Sequence, residues 1–160
     1  SGNLMNALTS DFKDFIALLQ KHEVEFLICG GHAVSFHGYP RMTMDMDILI
    51  KPNQKNARRL MTALNEFGFG QAGIPEEAFL KEGTAVTLGV QPNQIDLLSS
   101  VSKQNVENIF KNAILGKLEN FSVLYISKQD LLRAKREAGR PKDIADLDEL
   151  EKMDNKPQTL

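Results

Sequence analysis

Residues 28–51 constrain the fold of this chain more than any other segment, because two strand patterns there enclose a glycine pair and a short helix. The apolar run from Phe26 to Cys29 predicts a short buried strand that stops at Gly30 and Gly31. Residues 32–37 then suit a short helix, and backbone amides at its start could hold an anion. The segment therefore predicts a strand–turn–helix unit followed directly by a second strand.

The second strand is predicted from about Met42, and its two faces differ in character. Positions 42, 44, 46, 48 and 50 are Met or Ile, whereas the other face carries Asp45 and Asp47 near the beginning of the strand. Two neighbouring carboxylates repel each other, which raises the proton affinity of one unless a cation lies between them. Carboxylate oxygens suit Mg²⁺, which usually shares its ligand shell with water and substrate phosphates. The pair predicts a divalent metal site; a solvated strand end is the alternative.

The rest of the chain alternates helical and strand-like patterns. We expect helices over 3–22, 53–67, 105–113, 127–138 and about 140–153, a single turn near 78–80, and strands over 84–90, 94–99 and 121–126. The strands 84–90 and 94–99 are joined by a hairpin-like connection at 91–93. Asp96 lies within the second of them, where an unpaired charge is costly to bury. We therefore expect Asp96 either to bind a cation or to pair with a basic side chain.

Bulk properties limit the protein class. A chain of 160 residues with 42% hydrophobic residues predicts one domain, placed at 1–153 with a flexible tail at 154–160. The net charge of −2 gives no overall attraction to nucleic acid, so such a partner would need a local basic patch. Cys29 is the single cysteine, which excludes an internal disulfide. No signal peptide or membrane-spanning run is apparent, so we expect a cytoplasmic protein without a membrane partner.

Two ordered motifs carry a family resemblance. Gly30–Ala33 (Gly-Gly-His-Ala) precedes Arg41–Ile48 (Arg-Met-Thr-Met-Asp-Met-Asp-Ile), and the order resembles the nucleotidyltransferases of the polymerase-beta-like superfamily. The similarity is closer to AbiEii-type toxins and related small bacterial nucleotidyltransferase-like proteins. Those proteins end with a helix bearing a Lys, then Arg-x-x-Asp and Asp-Leu, an order that Lys135, Arg140–Asp143 and Asp146–Leu147 match. Many members have Ser after the first Gly, where this chain has Gly31.

The resemblance implies a fold and a chemistry. The fold would be α/β (α+β), a mixed β-sheet with helices packed on it and a C-terminal helix pair. The activity would be transfer of a nucleoside monophosphate from an NTP to an acceptor hydroxyl, with Mg²⁺ or Mn²⁺ as cofactor. The metal would be held by three catalytic carboxylates and the nucleotide by four further residues: Asp45, Asp47 and Asp96, and Gly30, Gly31, Arg41 and Lys135. The acceptor stays open between a tRNA end, a small molecule and a protein hydroxyl, and a toxin role would bring an antitoxin partner.

Each assignment has a structural alternative. Gly30 and Gly31 can be only a tight turn, Asp96 can pair with a basic residue, and Arg41 can bridge surface carboxylates. Lys135 can neutralise Asp143 or Asp146 within the helix pair. For the whole chain, the competing readings are a non-catalytic protein that binds nucleotide or a partner, and an RNA-binding protein that uses the basic residues of 128–142.

Overall fold

The computed structural model describes residues 8–154, and within them six strands form one mixed sheet. The strands are β1 (Phe26–Cys29), β2 (Asp45–Ile50), β3 (Ala85–Leu88), β4 (Gln94–Leu98), β5 (Ile114–Leu118) and β6 (Phe121–Tyr125). Their order across the sheet is β3-β4-β2-β1-β6-β5. β2 runs parallel to β4 and antiparallel to β1, while β1 runs parallel to β6. The two outer pairs, β3 with β4 and β5 with β6, are antiparallel.

Helices connect and cover these strands. They are α1 (Ser10–Lys21), α2 (Gly30–Phe36), α3 (Gln54–Leu64), α4 (Val106–Asn112), α5 (Lys128–Ala138) and α6 (Pro141–Asp154). A π-helical turn at Asn65–Phe69 extends α3, and a single 3-10 turn lies at Glu76–Phe79. α2 packs on β1 and β2, and α5 packs along α6. The predicted mixed sheet with packed helices and a C-terminal helix pair is confirmed.

The two central strands are largely buried, because β1 is apolar on both faces and β2 is apolar on one face. All four residues of β1 are buried, and Met46, Ile48 and Ile50 of β2 are fully inaccessible. Side chains that alternate along β2 put these three on one face and Asp45, Asp47 and Leu49 on the other. The polar start of β2 therefore lies at the rim of the sheet where β2 and β4 begin and where β1 and β6 end.

Several predicted boundaries were wrong. The second strand begins at Asp45, since residues 40–44 form a loop in which Thr43 Oγ1 donates to the Asp45 carbonyl over 3.0 Å. Met42 and Met44 are consequently 54% and 45% exposed and do not fill the core. α2 begins at Gly30 itself, so the glycine pair forms the first turn of the helix.

Other differences lie at helix ends and in one missed strand. α1 begins at Ser10 because the Thr9 side chain accepts from the Phe12 amide as an N-cap; residues 3–7 of the predicted helix lie outside the described part. α3 ends at Leu64, before the π-helical turn in which Gly68 has φ 103°. β5 was not predicted. Asp154 still belongs to α6, and residues 155–160 of the predicted tail lie outside the described part.

No helix within residues 8–154 combines the length and the apolar character needed to cross a membrane.

Asn56 ties α3 to the ends of the two central strands. Its Oδ1 accepts from the Glu25 amide over 2.6 Å, and its Nδ2 donates to the Glu25 and Lys51 carbonyls over 2.9 and 2.8 Å. The side chain is buried, so water cannot replace these bonds. One amide group thus fixes how α3 meets the strands that carry the polar rim.

We predict that Asn56→Ala lowers the free energy of unfolding by about 2–4 kcal/mol, because three backbone groups lose their partner in a buried place. Urea denaturation measures the change. Asn108→Ala, at an exposed position of α4, is the matched control and should shift stability by no more than about 0.5 kcal/mol. Equal effects of the two substitutions would contradict the role of Asn56.

Candidate functional site

The strand register brings the three predicted metal ligands together. Asp47 of β2 lies directly opposite Asp96 of β4, and Asp45 lies opposite Gln94. Partners in register share a face of the sheet, so Asp45, Asp47 and Asp96 all face the same side. They line one cavity of about 820 Å³, whose wall also includes Gly30, Gly31, Arg41 and Lys135. All seven predicted site residues therefore meet in a single cavity, while their roles stay predictions.

Gly30 allows the backbone to approach the carboxylates. Its φ is 69°, a left-handed value that side chains disfavour, and a Cβ there would collide with Asp47 Oδ2. Gly31 is also confined, since a Cβ would lie 2.7 Å from Thr43 Oγ1. The Asp47 carboxylate and the loop before β2 pass so close to the glycine pair that neither glycine can carry a side chain. Both residues therefore have a structural reason in addition to their predicted nucleotide role.

The pKa of Asp47 is raised by its surroundings. Burial, the negative charge and hydrogen bond of Asp96, and the charge of Asp45 together raise the pKa of Asp47 to about 7, and Lys135 offsets only part of the effect. Near neutral pH this group can therefore hold or release a proton. A cation beside it would favour the ionised form.

Polar side chains from β3, β4 and their connection hold the other two carboxylates. Gln91 Nε2 donates to Asp45 Oδ1 over 3.0 Å. Thr87 Oγ1 donates to Asp96 Oδ1 over 2.7 Å, and Gln94 Nε2 lies 3.2 and 3.1 Å from the two Asp96 oxygens. The carboxylates of Asp45 and Asp96 therefore accept their hydrogen bonds from uncharged side chains.

The donor set fits a hard divalent cation in its chemistry. Three carboxylates share one face, and, after burial, the charges of Asp96 and Asp45 contribute to the raised pKa of Asp47. Residues 8–154 contain no group of three His, Cys, Asp or Glu side chains already arranged around a metal position. Binding a cation at Asp45, Asp47 and Asp96 would therefore require these side chains to rotate from their present hydrogen bonds.

Cationic side chains form another part of the cavity lining, the cationic wall, and they are paired with carboxylates. Lys135 Nζ lies 2.9 Å from Asp146 Oδ2 and 3.3 Å from Asp143 Oδ1, in a buried position between α5 and α6. Arg41 binds Asp146 in a bidentate manner, with Nε to Oδ1 at 2.8 Å and Nη2 to Oδ2 at 2.9 Å. Arg41 and Lys135, the two basic residues predicted to contact the nucleotide, therefore share one carboxylate, Asp146.

Arg140 completes this network at the turn between the helices. α5 ends at Gly139, whose φ of 63° reverses the chain so that the Arg140 amide and Nε reach Asp143 Oδ2 over 3.2 and 2.6 Å. Burial alone would raise the pKa of Asp143, but hydrogen bonds from Arg140 and Lys135 outweigh it and hold that pKa below its ordinary value. Asp143 thus stays ionised and fixes Lys135.

Sequence reasoning missed the residues that hold the site together. Asp143 and Asp146 were considered as part of the family motif and as competitors for Lys135, but not as the residues that also hold Arg41 and Arg140. Their spacing of three residues along a helix was the signal that both face α5. Thr87 and Gln94 were not singled out, although alternation along the two strands puts them on the face of Asp96. Gln91 lies in a turn, where no periodicity shows which way its side chain points.

We predict that Asp47→Asn stabilises the metal-free protein above neutral pH. Because the folded pKa of about 7 exceeds the unfolded value near 3.8, the folded state binds more protons between these values, so stability falls as pH rises through that window. Removing the charge should raise Tm by more than about 4 °C at pH 8 and change it little at pH 4. Thermal unfolding in EDTA measures this. Asp148→Asn, exposed on α6, should show no such pH dependence.

A second prediction concerns the shared carboxylate of the cationic wall. Asp146→Ala should cost about 3–5 kcal/mol of unfolding free energy, because Arg41 and the buried Lys135 lose a common partner. Glu149→Ala, which removes an exposed ion pair with Lys152 on the same helix, should cost less than about 1 kcal/mol. A loss below about 1 kcal/mol in Asp146→Ala would mean that the network adds nothing to the fold.

Comparisons with known proteins support the fold. A scan against protein families and a search of curated proteins find no match. Among solved structures, a provisionally named nucleotidyltransferase from Thermotoga maritima is similar, with a TM-score of 0.57, 11% identity, and coverage of 89% of this chain and 91% of that one. An antigenic nucleotidyltransferase-like protein from Paracoccidioides brasiliensis has a TM-score of 0.51 at 21% identity, over 88% of this chain and 74% of that one. This chain has the nucleotidyltransferase-like fold.

Proposed function

We propose that this protein is a divalent-metal-dependent nucleotidyltransferase that moves a nucleoside monophosphate from an NTP to an acceptor hydroxyl. The observation that carries the proposal is the meeting of Asp45, Asp47 and Asp96 on one wall of a cavity whose other wall carries Lys135, Arg140 and Arg41. A carboxylate wall suits a hard cation, and a cationic wall suits phosphate. A cavity with both is suited to a metal-bound triphosphate.

The basic side chains of the cavity differ in how readily each could bind a phosphate. Lys135 is held by Asp143 and Asp146, so its ammonium is already positioned and needs no ordering when a phosphate arrives. Arg140 has its side chain 62% exposed and can turn toward a phosphate while its backbone amide stays on Asp143. Arg41 can contribute only by loosening its bidentate bond to Asp146. We therefore assign the phosphate contact first to Lys135, then to Arg140, and only last to Arg41.

Asp45, Asp47 and Asp96 would hold Mg²⁺ or Mn²⁺ in this proposal. When bound, the metal supplies charge neutralisation at the phosphates and acidifies the acceptor hydroxyl. Gly30 keeps the approach to Asp47 open, since any side chain there would occupy the place of the carboxylate. The carboxylates in turn fix the position of the nucleotide relative to the cationic wall.

The proposed reaction is one in-line displacement. The oxygen of the acceptor hydroxyl forms a bond to the α-phosphorus, and the bond from that phosphorus to the α–β bridging oxygen breaks. Pyrophosphate leaves with the electrons of the broken bond, and the hydroxyl proton passes to Asp96. Lys135 and Arg140 would stabilise the negative charge that grows on the leaving group.

The finer assignments rest on sequence similarity. The Arg-x-Thr-x-Asp-x-Asp segment at 41–47 and the order Lys135, Arg140, Asp143 and Asp146 resemble AbiEii-type toxins. On that basis we propose a tRNA end as the first acceptor to test, an antitoxin as a protein partner, and a cytoplasmic place of action. A small molecule or a protein hydroxyl is the alternative acceptor.

One set of contacts favours a second candidate, a non-catalytic protein that binds nucleotide or a partner. Arg41 and Lys135 are already paired with Asp146 and Asp143, and Asp45 and Asp96 already accept hydrogen bonds from amide and hydroxyl donors. A protein that only needs a stable polar cavity would have such pairing. The two candidates differ in whether the α-phosphate becomes covalently attached to another molecule.

We predict transfer of α-³²P label to an acceptor when the protein is incubated with each labelled NTP, Mg²⁺ and total tRNA. Label at the γ-position should appear in pyrophosphate and never in the acceptor, which separates nucleotidyl transfer from phosphoryl transfer. Asp45→Ala and Asp47→Ala should lower transfer by at least about 10³-fold, since each removes a carboxylate that holds the metal. Gel electrophoresis of the labelled products measures this.

Asp148→Ala, at an exposed position of α6, is the matched control and should keep full activity. Circular dichroism must show that all variants are folded. Binding of NTP without transfer to RNA, protein or small molecules would support the non-catalytic candidate. Salt-sensitive RNA binding that is unchanged in Asp45→Ala would instead support the RNA-binding reading.

A further inference from the structure

Gln94 occupies a special place in the carboxylate cluster. In the parallel pairing of β2 with β4, Asp45 lies opposite Gln94 and Asp47 lies opposite Asp96, so the four side chains form a two-by-two patch on one face of the sheet. Three corners of the patch are carboxylates, and the fourth is the amide of Gln94. That amide points along its own strand, with Nε2 3.1 and 3.2 Å from the two oxygens of Asp96.

Gln91 repeats this arrangement at a second corner. It lies in the connection between β3 and β4, is exposed, and donates from Nε2 to Asp45 Oδ1 over 3.0 Å. Thr87 differs from both glutamines, because its donor is a short hydroxyl side chain, which reaches Asp96 Oδ1 from the neighbouring strand in register with Asp96. The hairpin of β3 and β4 therefore supplies two long, flexible amide donors and one short hydroxyl donor.

We propose that Gln94, assisted by Gln91, is a positioning residue that engages carboxylate oxygens of Asp96 and Asp45 in hydrogen bonds and thereby sets the affinity for the divalent cation. The proposal rests on the proposed function, since it assumes that these carboxylates are the metal ligands. An amide N–H uses the same oxygen lone pairs that a cation needs, and it cannot itself coordinate a metal. A cation must therefore displace the Gln94 donor from at least one Asp96 oxygen before Asp96 can join Asp45 and Asp47.

Electrostatics explains why such donors are useful here. Carboxylates packed this closely repel, and an amide dipole reduces the repulsion without adding a charge that would exclude the cation. A lysine at the same corner would instead place a permanent positive charge where the cation has to bind. With glutamine the metal-free protein stays folded and the site stays available, but metal affinity is lower than three unengaged carboxylates would give.

The test measures metal binding directly and needs no activity. Binding of Mn²⁺ is followed by electron paramagnetic resonance of the free ion, in the wild-type protein, Gln94→Ala and Gln94→Met. Methionine keeps the length of the side chain without a donor. We expect Kd for Mn²⁺ to fall by about tenfold in both variants, because a hydrogen bond to a charged group no longer opposes binding. Gln91→Ala should show a smaller decrease, since Gln91 engages one oxygen only.

Gln71→Ala, at an exposed position outside the cavity, is the matched control and should leave Kd unchanged. Unchanged or weaker binding in Gln94→Ala and Gln94→Met would overturn the proposal; weaker binding would mean that the Gln94 carbonyl oxygen is itself a ligand. If Asp47→Ala abolishes binding while Gln94 variants have no effect, only the positioning role fails. If neither the wild-type protein nor any Gln94 variant binds Mn²⁺, the proposed metal site fails together with it.

Discussion

Repulsion among Asp45, Asp47 and Asp96 is the interaction around which the rest of the site is arranged. Three carboxylates on one face of the sheet would be costly without compensation. Burial is the largest cause that raises the pKa of Asp47 to about 7, and the neighbouring carboxylates add to it. Each neighbouring element reduces the cost in a different way. Gly30 leaves room for Asp47, the hairpin of β3 and β4 donates hydrogen bonds, and Lys135 supplies a nearby positive charge.

The cationic wall is a second network of charged side chains. Its charges are paired with opposite charges more completely than those of the three carboxylates. Asp146 binds both Arg41 and Lys135, and Asp143 binds both Lys135 and Arg140. A buried lysine without such partners would lose its charge or destabilise the fold. The pairing therefore fixes Lys135 in place between α5 and α6. The sequence spacing Asp143-x-x-Asp146 on α6 is what allows one helix to hold both carboxylates against α5.

Local patterns explain which parts of this arrangement could be predicted. The strand at 26–29 followed from its apolar run, and the placement of Asp45 and Asp47 on one face of the next strand followed from alternation, because burial of one face imposes a period of two. The start of that strand was expected too early, near Met42, and the metal role of Asp96 came from the family resemblance. β5 escaped prediction, since Gly116 and Lys117 interrupt its pattern and Ile114 and Leu115 are exposed. Met42 and Met44 continued the alternation of β2 in sequence only; hydrogen bonds from Arg41 and Thr43 to backbone carbonyls hold this stretch in a loop. Pairings such as Arg41 with Asp146 join positions 105 residues apart, and no local pattern encodes them.

The balance of charge in the cavity limits how a triphosphate can enter. The basic side chains of the lining, Arg41, Lys103, Lys135, Arg140 and Lys142, face an equal number of acidic ones, Asp45, Asp47, Asp96, Glu137 and Asp143. A highly anionic ligand therefore meets no excess positive charge, and on the carboxylate side it meets repulsion. Bringing its own divalent cation removes that repulsion, because the cation binds phosphate and carboxylate oxygens together. Under the proposed function, the substrate would therefore enter this cavity as the metal–nucleotide complex.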